Sequence, residues 1–210
     1  MLLGDYLRLR PPGTFTEPLP RGDGHSVIVF PGFSSDFLTL PFRRWLGELG
    51  YEVAGWSAGF NLGPTPSAWR IAHAQLAAIA KQSERKVSLV GHSLGGVLAR
   101  ALANDHPQLV RRVITICSPF RLPAASPLAA LYQAFSPWHI DPALLLPKLA
   151  EPPPAPTTAI YVPQDRIVCS LCCMDVPAEG RENVAIDGSH STMLSHPETL
   201  RIIADRLPRP

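Results

Sequence analysis

The sequence predicts an α/β fold, with a mostly parallel central sheet of about six strands flanked by helices. Apolar runs recur without polar alternation, as strands buried on both faces require. Helical patterns separate those runs, so that strand, helix and strand succeed one another. A length of 210 residues suits a single domain, 1–210, with one sizeable core.

The first strand is expected at Ser26–Phe30, an apolar run stopped by Pro31 and Gly32. Further strands are expected at 52–54, 87–90, 113–117, 159–162 and 184–186. Phe42, Trp45, Leu46 and Leu49 share one helical face before Gly50. Thr65 and Pro66 form a helix start, followed by Ala72, Leu76, Ile79 and Ala80 on one face. A third helix is expected from Leu94 to about Asn104, and a last from about Pro197 to Leu207. Segment 118–156 breaks the pattern: it holds ten of the 24 prolines, so it cannot be a regular crossover helix. Leu128, Leu131, Tyr132 and Phe135 give it one short amphipathic helix, and the segment is expected to form a small lid-like insertion.

Nineteen basic and seventeen acidic residues leave a formal charge of +2, with no basic cluster to hold nucleic acid. No apolar stretch reaches the ~20 residues of a membrane span. Asp5 and Arg8 fall where a secretory leader would be apolar, so a cytoplasmic location is expected. Cys117, Cys169, Cys172 and Cys173 are too few and too unevenly placed for a disulfide scaffold, and they do not supply the four ligands of a structural zinc site. They are expected to be small buried hydrophobes, although export would permit a Cys169–Cys172 or Cys169–Cys173 disulfide. No metal and no cofactor is implied.

The residues that carry chemistry centre on Gly91-His92-Ser93-Leu94-Gly95, where an apolar strand runs into G-x-S-x-G and then into a helix pattern. A serine between strand and helix sits on a sharp turn, so its neighbours two before and two after must be nearly without side chains. Gly91 and Gly95 meet that demand. The turn lifts Ser93 above the sheet edge beside a helix N-terminus, the placement of a nucleophile. The other reading is a turn that permits close packing or binds phosphate.

A serine hydroxyl needs a base, and the base needs an orienting carboxylate. Asp165 lies three residues beyond the strand ending at Val162, on the same sheet edge; Asp141, Asp175 and Asp187 are its rivals. His190 follows the last strand on a Gly188-containing loop and is the candidate base; six other histidines lack that placement or sit inside the elbow. The oxyanion is expected to meet the Leu94 N–H and a second N–H from the Pro31-Gly32-Phe33 loop, from Phe33 or else Ser34. Phe33, Ser34, His92, Leu131 and Phe135 are the expected substrate contacts.

The elbow Gly91–Gly95, the Pro31-Gly32-Phe33 loop, Asp165 and His190, in this order over residues 24–207, resemble the α/β-hydrolase-fold lipases and esterases. More narrowly, Gly55-Trp56, Asn61-Leu62-Gly63-Pro64, the 164–168 stretch and Gly188-Ser189-His190 resemble small bacterial hydrolases related to triacylglycerol lipases. Pro31-Gly32 stands where many members have His-Gly. The resemblance implies a serine hydrolase with a Ser93, His190, Asp165 triad and an acyl-enzyme intermediate. The expected partner is a small-molecule ester with an apolar part. An acyltransferase or thioesterase on the same triad, or a binding protein that keeps the fold without turnover, are the alternatives.

Overall fold

A computed structural model of the chain describes residues 15, 17–33, 36–63, 65–121 and 151–209. Six strands form one sheet: β1 (Ser26–Phe30), β2 (Glu52–Gly55), β3 (Val87–His92), β4 (Val110–Ile116), β5 (Thr157–Tyr161) and β6 (Arg181–Ala185). Their order is β2-β1-β3-β4-β5-β6, and every pairing is parallel. Among the described residues four α-helices accompany them: α1 (Leu40–Glu48), α2 (Pro66–Ser83), α3 (Leu94–Asp105) and α4 (Pro197–Arg206).

Apolar runs predict strands here because successive side chains serve two different cores. Val27 and Val29 face a cluster with Phe42, Leu46 and Ile203, from α1 and α4. Ile28 and Phe30 face another with Leu76, Leu98 and Leu102, from α2 and α3. At the start of α2, the Thr65 side chain accepts the Ala68 N–H and Pro66 occupies the first turn. Gly50, at φ +102, follows the end of α1, a backbone conformation open to glycine.

Several boundaries differ from expectation: β2 and β3 run on to Gly55 and His92, and β5 spans Thr157–Tyr161. β4 starts three residues earlier, at Val110, although Arg111 and Arg112 interrupt the apolar run. Arg111 pairs with Asp23 and Arg112 is buried, so the strand accommodates both. Cys117 has left the strand: it turns into the left-handed region at φ 48. β6 forms at Arg181–Ala185, ahead of the expected 184–186, because as an edge strand it is only half-buried and carries polar residues. The lid-like insertion falls mostly on 122–150, outside the described residues. No helix among the described residues is long and apolar enough to cross a membrane.

The strand order reverses at β1 and β3, since β2 lies on one side of β1 and β3 on the other. In open α/β sheets such a reversal, at the C-terminal edge of the strands, is where loops diverge and ligands are held. Phe30 pairs beside Gly91, so the loop after β1 emerges next to the turn after β3.

Candidate active site

Ser93 sits between β3 and α3 at φ 50 and ψ −120, a strained conformation for a residue with a side chain. Its N–H donates to Ile116 O across 2.8 Å, which ties the turn to β4. The glycines around it are demanded by close backbone approach. A Cβ on Gly91 would stand 2.4 Å from the Gly95 backbone, and one on Gly95 would stand 2.3 Å from Phe30 O. Leu94 then opens α3, where the first N–H groups have no intrahelical acceptor and favour negative charge.

The loop after β1 leans on this turn. A Cβ on Gly32 would lie 3.2 Å from Ser93 Cβ and 3.1 Å from His92 Nδ1. Asn61, fully buried, donates from its side-chain amide to Pro31 O across 2.7 Å and accepts the Gly63 N–H. Asp36 accepts the Trp56 N–H and pairs with Arg43, which pins the far end of the same connection. Phe33 follows Gly32 and meets Phe60 edge to face at 5.8 Å. Both rings are exposed, at 42% and 54%. Trp56, by contrast, is buried against Phe30.

From β5 the chain delivers Asp165 and from β6 it delivers His190, which begins a short 3-10 turn, His190–Ser195. His190 Nδ1–H donates to Asp165 Oδ2 across 2.8 Å. Both side chains are nearly withdrawn from solvent, at 8% and 1% exposure. Asp165 Oδ1 accepts the N–H groups of Ile167 and Val168 at 2.8 and 3.1 Å. Burial works to raise the Asp165 pKa, but these N–H donors and His190 outweigh it, and the carboxylate is held below its ordinary range. A carboxylate on Nδ1 leaves Nε2 as the basic nitrogen of a neutral imidazole. Of the rival acids, Asp175 is taken up by Arg100 and Thr157, and Asp141 lies outside the described residues.

His92 joins the halves of the site. Its Nε2–H donates to the His190 carbonyl at 3.0 Å, and the two rings stand 5.0 Å apart. Burial, then the neighbouring His190, depress the His92 pKa to about 4, so the ring is neutral near pH 7. Its Nε2 is engaged by the loop that carries His190. Cys117 lies beneath, and burial, then the nearby Asp165 charge, push its thiol up to about 12. Donor atoms of Cys117, Asp165 and His190 lie within 4.8 Å of one another, the one cluster of possible metal ligands among the described residues. The hydrogen bonds just given already engage its Asp165 and His190.

The cysteine expectation is corrected at one position. Cys117, Cys172 and Cys173 are buried, but Cys169 is exposed, because it caps a 3-10 turn, Ser170–Cys173, on the outer face of the β5–β6 connection. Ser34, Leu131 and Phe135 lie outside the described residues. The contacts of Asn61 with Pro31, His92 with His190 and Cys117 with Asp165 join residues far apart in sequence, and no local pattern announces them.

A family profile described as alpha/beta hydrolase fold matches residues 35–140. No protein of curated function matches the sequence significantly. Among solved structures, the fold is similar to the monoacylglycerol lipase of Paleococcus ferrophilus. The two share 17% identity over 90% of this chain and 95% of the other, with a TM-score of 0.64. It is similar to the esterase of Pyrobaculum calidifontis, with 16% identity over 91% and 78% and a TM-score of 0.68. It is similar as well to the lipase BlEst2 of Bacillus licheniformis, with 15% identity over 92% and 96% and a TM-score of 0.65.

Proposed function

Since the chain belongs to the α/β-hydrolase fold family, we propose that it is a serine hydrolase of carboxylic esters, with Ser93 as nucleophile, His190 as base and Asp165 as the group that orients the base. The observation that carries this reading is the His190–Asp165 hydrogen bond of 2.8 Å, on the sheet edge where Ser93 is held at positive φ.

His190 Nε2 takes the Ser93 proton as the hydroxyl attacks the ester carbonyl. Asp165 holds the tautomer and offsets the charge of the imidazolium. The Leu94 N–H and the Phe33 N–H receive the oxyanion, and preorganised donors of this kind contribute about 3–4 kcal/mol each to the barrier. His190 then returns the proton to the leaving alcohol, and the cycle repeats with water to release the acid.

The exposed rings of Phe33 and Phe60, with Phe37, Leu38 and Leu62 exposed nearby in sequence, support an ester with an apolar part. The test is a fluorophosphonate probe with intact mass measurement, together with chromogenic esters of increasing acyl length. An adduct on the wild type alone and turnover lost in Ser93→Ala are the expected results. A folded wild type that takes no probe and turns over no ester overturns the reading.

A further inference from the structure

Cys169, Cys172 and Cys173 take no part in the chemistry above, and their placement is uneven. Cys169 is exposed at the mouth of the 3-10 turn, while Cys172 is buried within it. The Cys172 N–H donates to Cys169 O across 3.0 Å, which closes the turn. That bond closes residues 169–172 into a single turn and brings the two Cα atoms within the reach of a disulfide. Both residues line one groove. Cys173 points the other way, into the core cluster with Cys117 and Val168, and its thiol donates to Cys169 O.

We propose that Cys169 and Cys172 form a redox-active dithiol, oxidised to an intramolecular disulfide by exchange with a small anionic disulfide. The asymmetry suits each thiol to a different step. The neighbouring Cys172 lowers the Cys169 pKa and favours its thiolate in solvent. Burial, then the Cys169 side chain, push Cys172 up to about 12, which keeps it protonated until its partner has reacted. The surroundings match an anionic reagent. A groove of about 520 Å³ runs past the pair, lined by the apolar Leu171, Met174 and Val176, by Arg121, and by Asp175, whose charge Arg100 already offsets.

The exchange balances in two steps. Cys169 thiolate attacks one sulfur of the reagent, the reagent's S–S bond breaks, and one thiolate leaves with Cys169 in a mixed disulfide. Cys172 then gives up its proton and attacks Cys169 Sγ, expelling the second thiolate. Two electrons pass from the protein to the reagent, which leaves as two thiols.

The test uses the full chain and glutathione disulfide at pH 7.5, read by intact mass and by alkylation under denaturing conditions. The wild type should become lighter by about 2 Da, and its four alkylatable thiols should fall to two, reversibly with a dithiol reductant. Before oxidation, iodoacetamide should label Cys169 roughly tenfold or more faster than any other cysteine. Cys172→Ser should accumulate the glutathione mixed disulfide on Cys169, Cys169→Ser should form neither product, and Cys173→Ser should still form the internal disulfide. Mixed disulfide alone in the wild type, no reaction, or loss of the internal disulfide in Cys173→Ser overturns the proposal.

Discussion

The side chain of His92 donates to the backbone carbonyl of His190 at 3.0 Å, so the residue before the proposed nucleophile holds the loop that carries the proposed base. With β4 and β5 between β3 and β6, the β3 turn thereby fixes the far end of the site.

His92→Ala removes that donor and leaves a carbonyl without its partner, an omission that costs about 1–3 kcal/mol when buried. Turnover of a chromogenic ester should fall roughly tenfold as the His190 loop loosens. A variant with the wild-type kcat would show that the loop holds itself.

The same ring sets a pH dependence. An unfolded histidine binds its proton near pH 6.5, whereas native His92, buried and beside His190, with Asp165 partly compensating, resists until about pH 4. The native state therefore binds fewer protons in that window, and its stability declines as pH falls from about 6.5 to 4. Urea unfolding at several pH values should show a shallower decline in His92→Ala than in the wild type.

Asp165→Asn preserves shape but reverses one polarity. With its carbonyl turned to the Ile167 and Val168 N–H groups, the amide would point a donor at His190 Nδ1 and favour the wrong tautomer. The expected loss in kcat is about 10³–10⁴-fold with KM little changed. Steady-state kinetics on one ester checks both parameters.

Gly91→Ala and Gly47→Ala make an opposed pair. The first drives a methyl to 2.4 Å from backbone that cannot yield, and should cost more than about 4 kcal/mol or abolish folding. The second adds a methyl inside α1 with nothing within 4 Å, and should stabilise by about 0.5–1 kcal/mol. Thermal unfolding of the two should move in opposite directions.

Arg100 and Asp175 form a buried two-pronged ion pair, both oxygens at 2.8 Å, with Arg100 also 3.7 Å over the Phe120 ring. Arg100→Met strands a buried carboxylate and should cost about 3–5 kcal/mol. Adding Asp175→Leu should restore much of that stability, as a double-mutant unfolding cycle would reveal.

Ser26–Phe30 and the first four residues of β3, 87–90, were legible because a strand covered on both faces leaves a largely apolar run. Ser93, Asp165 and His190 were legible as positions at strand ends, where a parallel sheet gathers its loops. Arg181 to Asn183 gave no such signal, since an edge strand needs less apolar cover. The 3-10 turn at 170–173 is too short to show a period, so the exposure of Cys169 could not be foreseen. The His92–His190 bond spans 98 positions, and nothing local to either histidine encodes it.

At the opposite edge of the sheet, the Arg111 side chain donates to Asp23 Oδ2 at 2.8 Å and to Pro208 O at 3.0 Å. One guanidinium thus staples a point just ahead of β1 to a point just beyond α4. A short linker could fuse the backbone across that staple, and a new opening could be cut in an exposed turn such as 84–86. Such a circularly permuted chain would keep every strand pairing, with the thread entering the same knot-free weave at a different stitch.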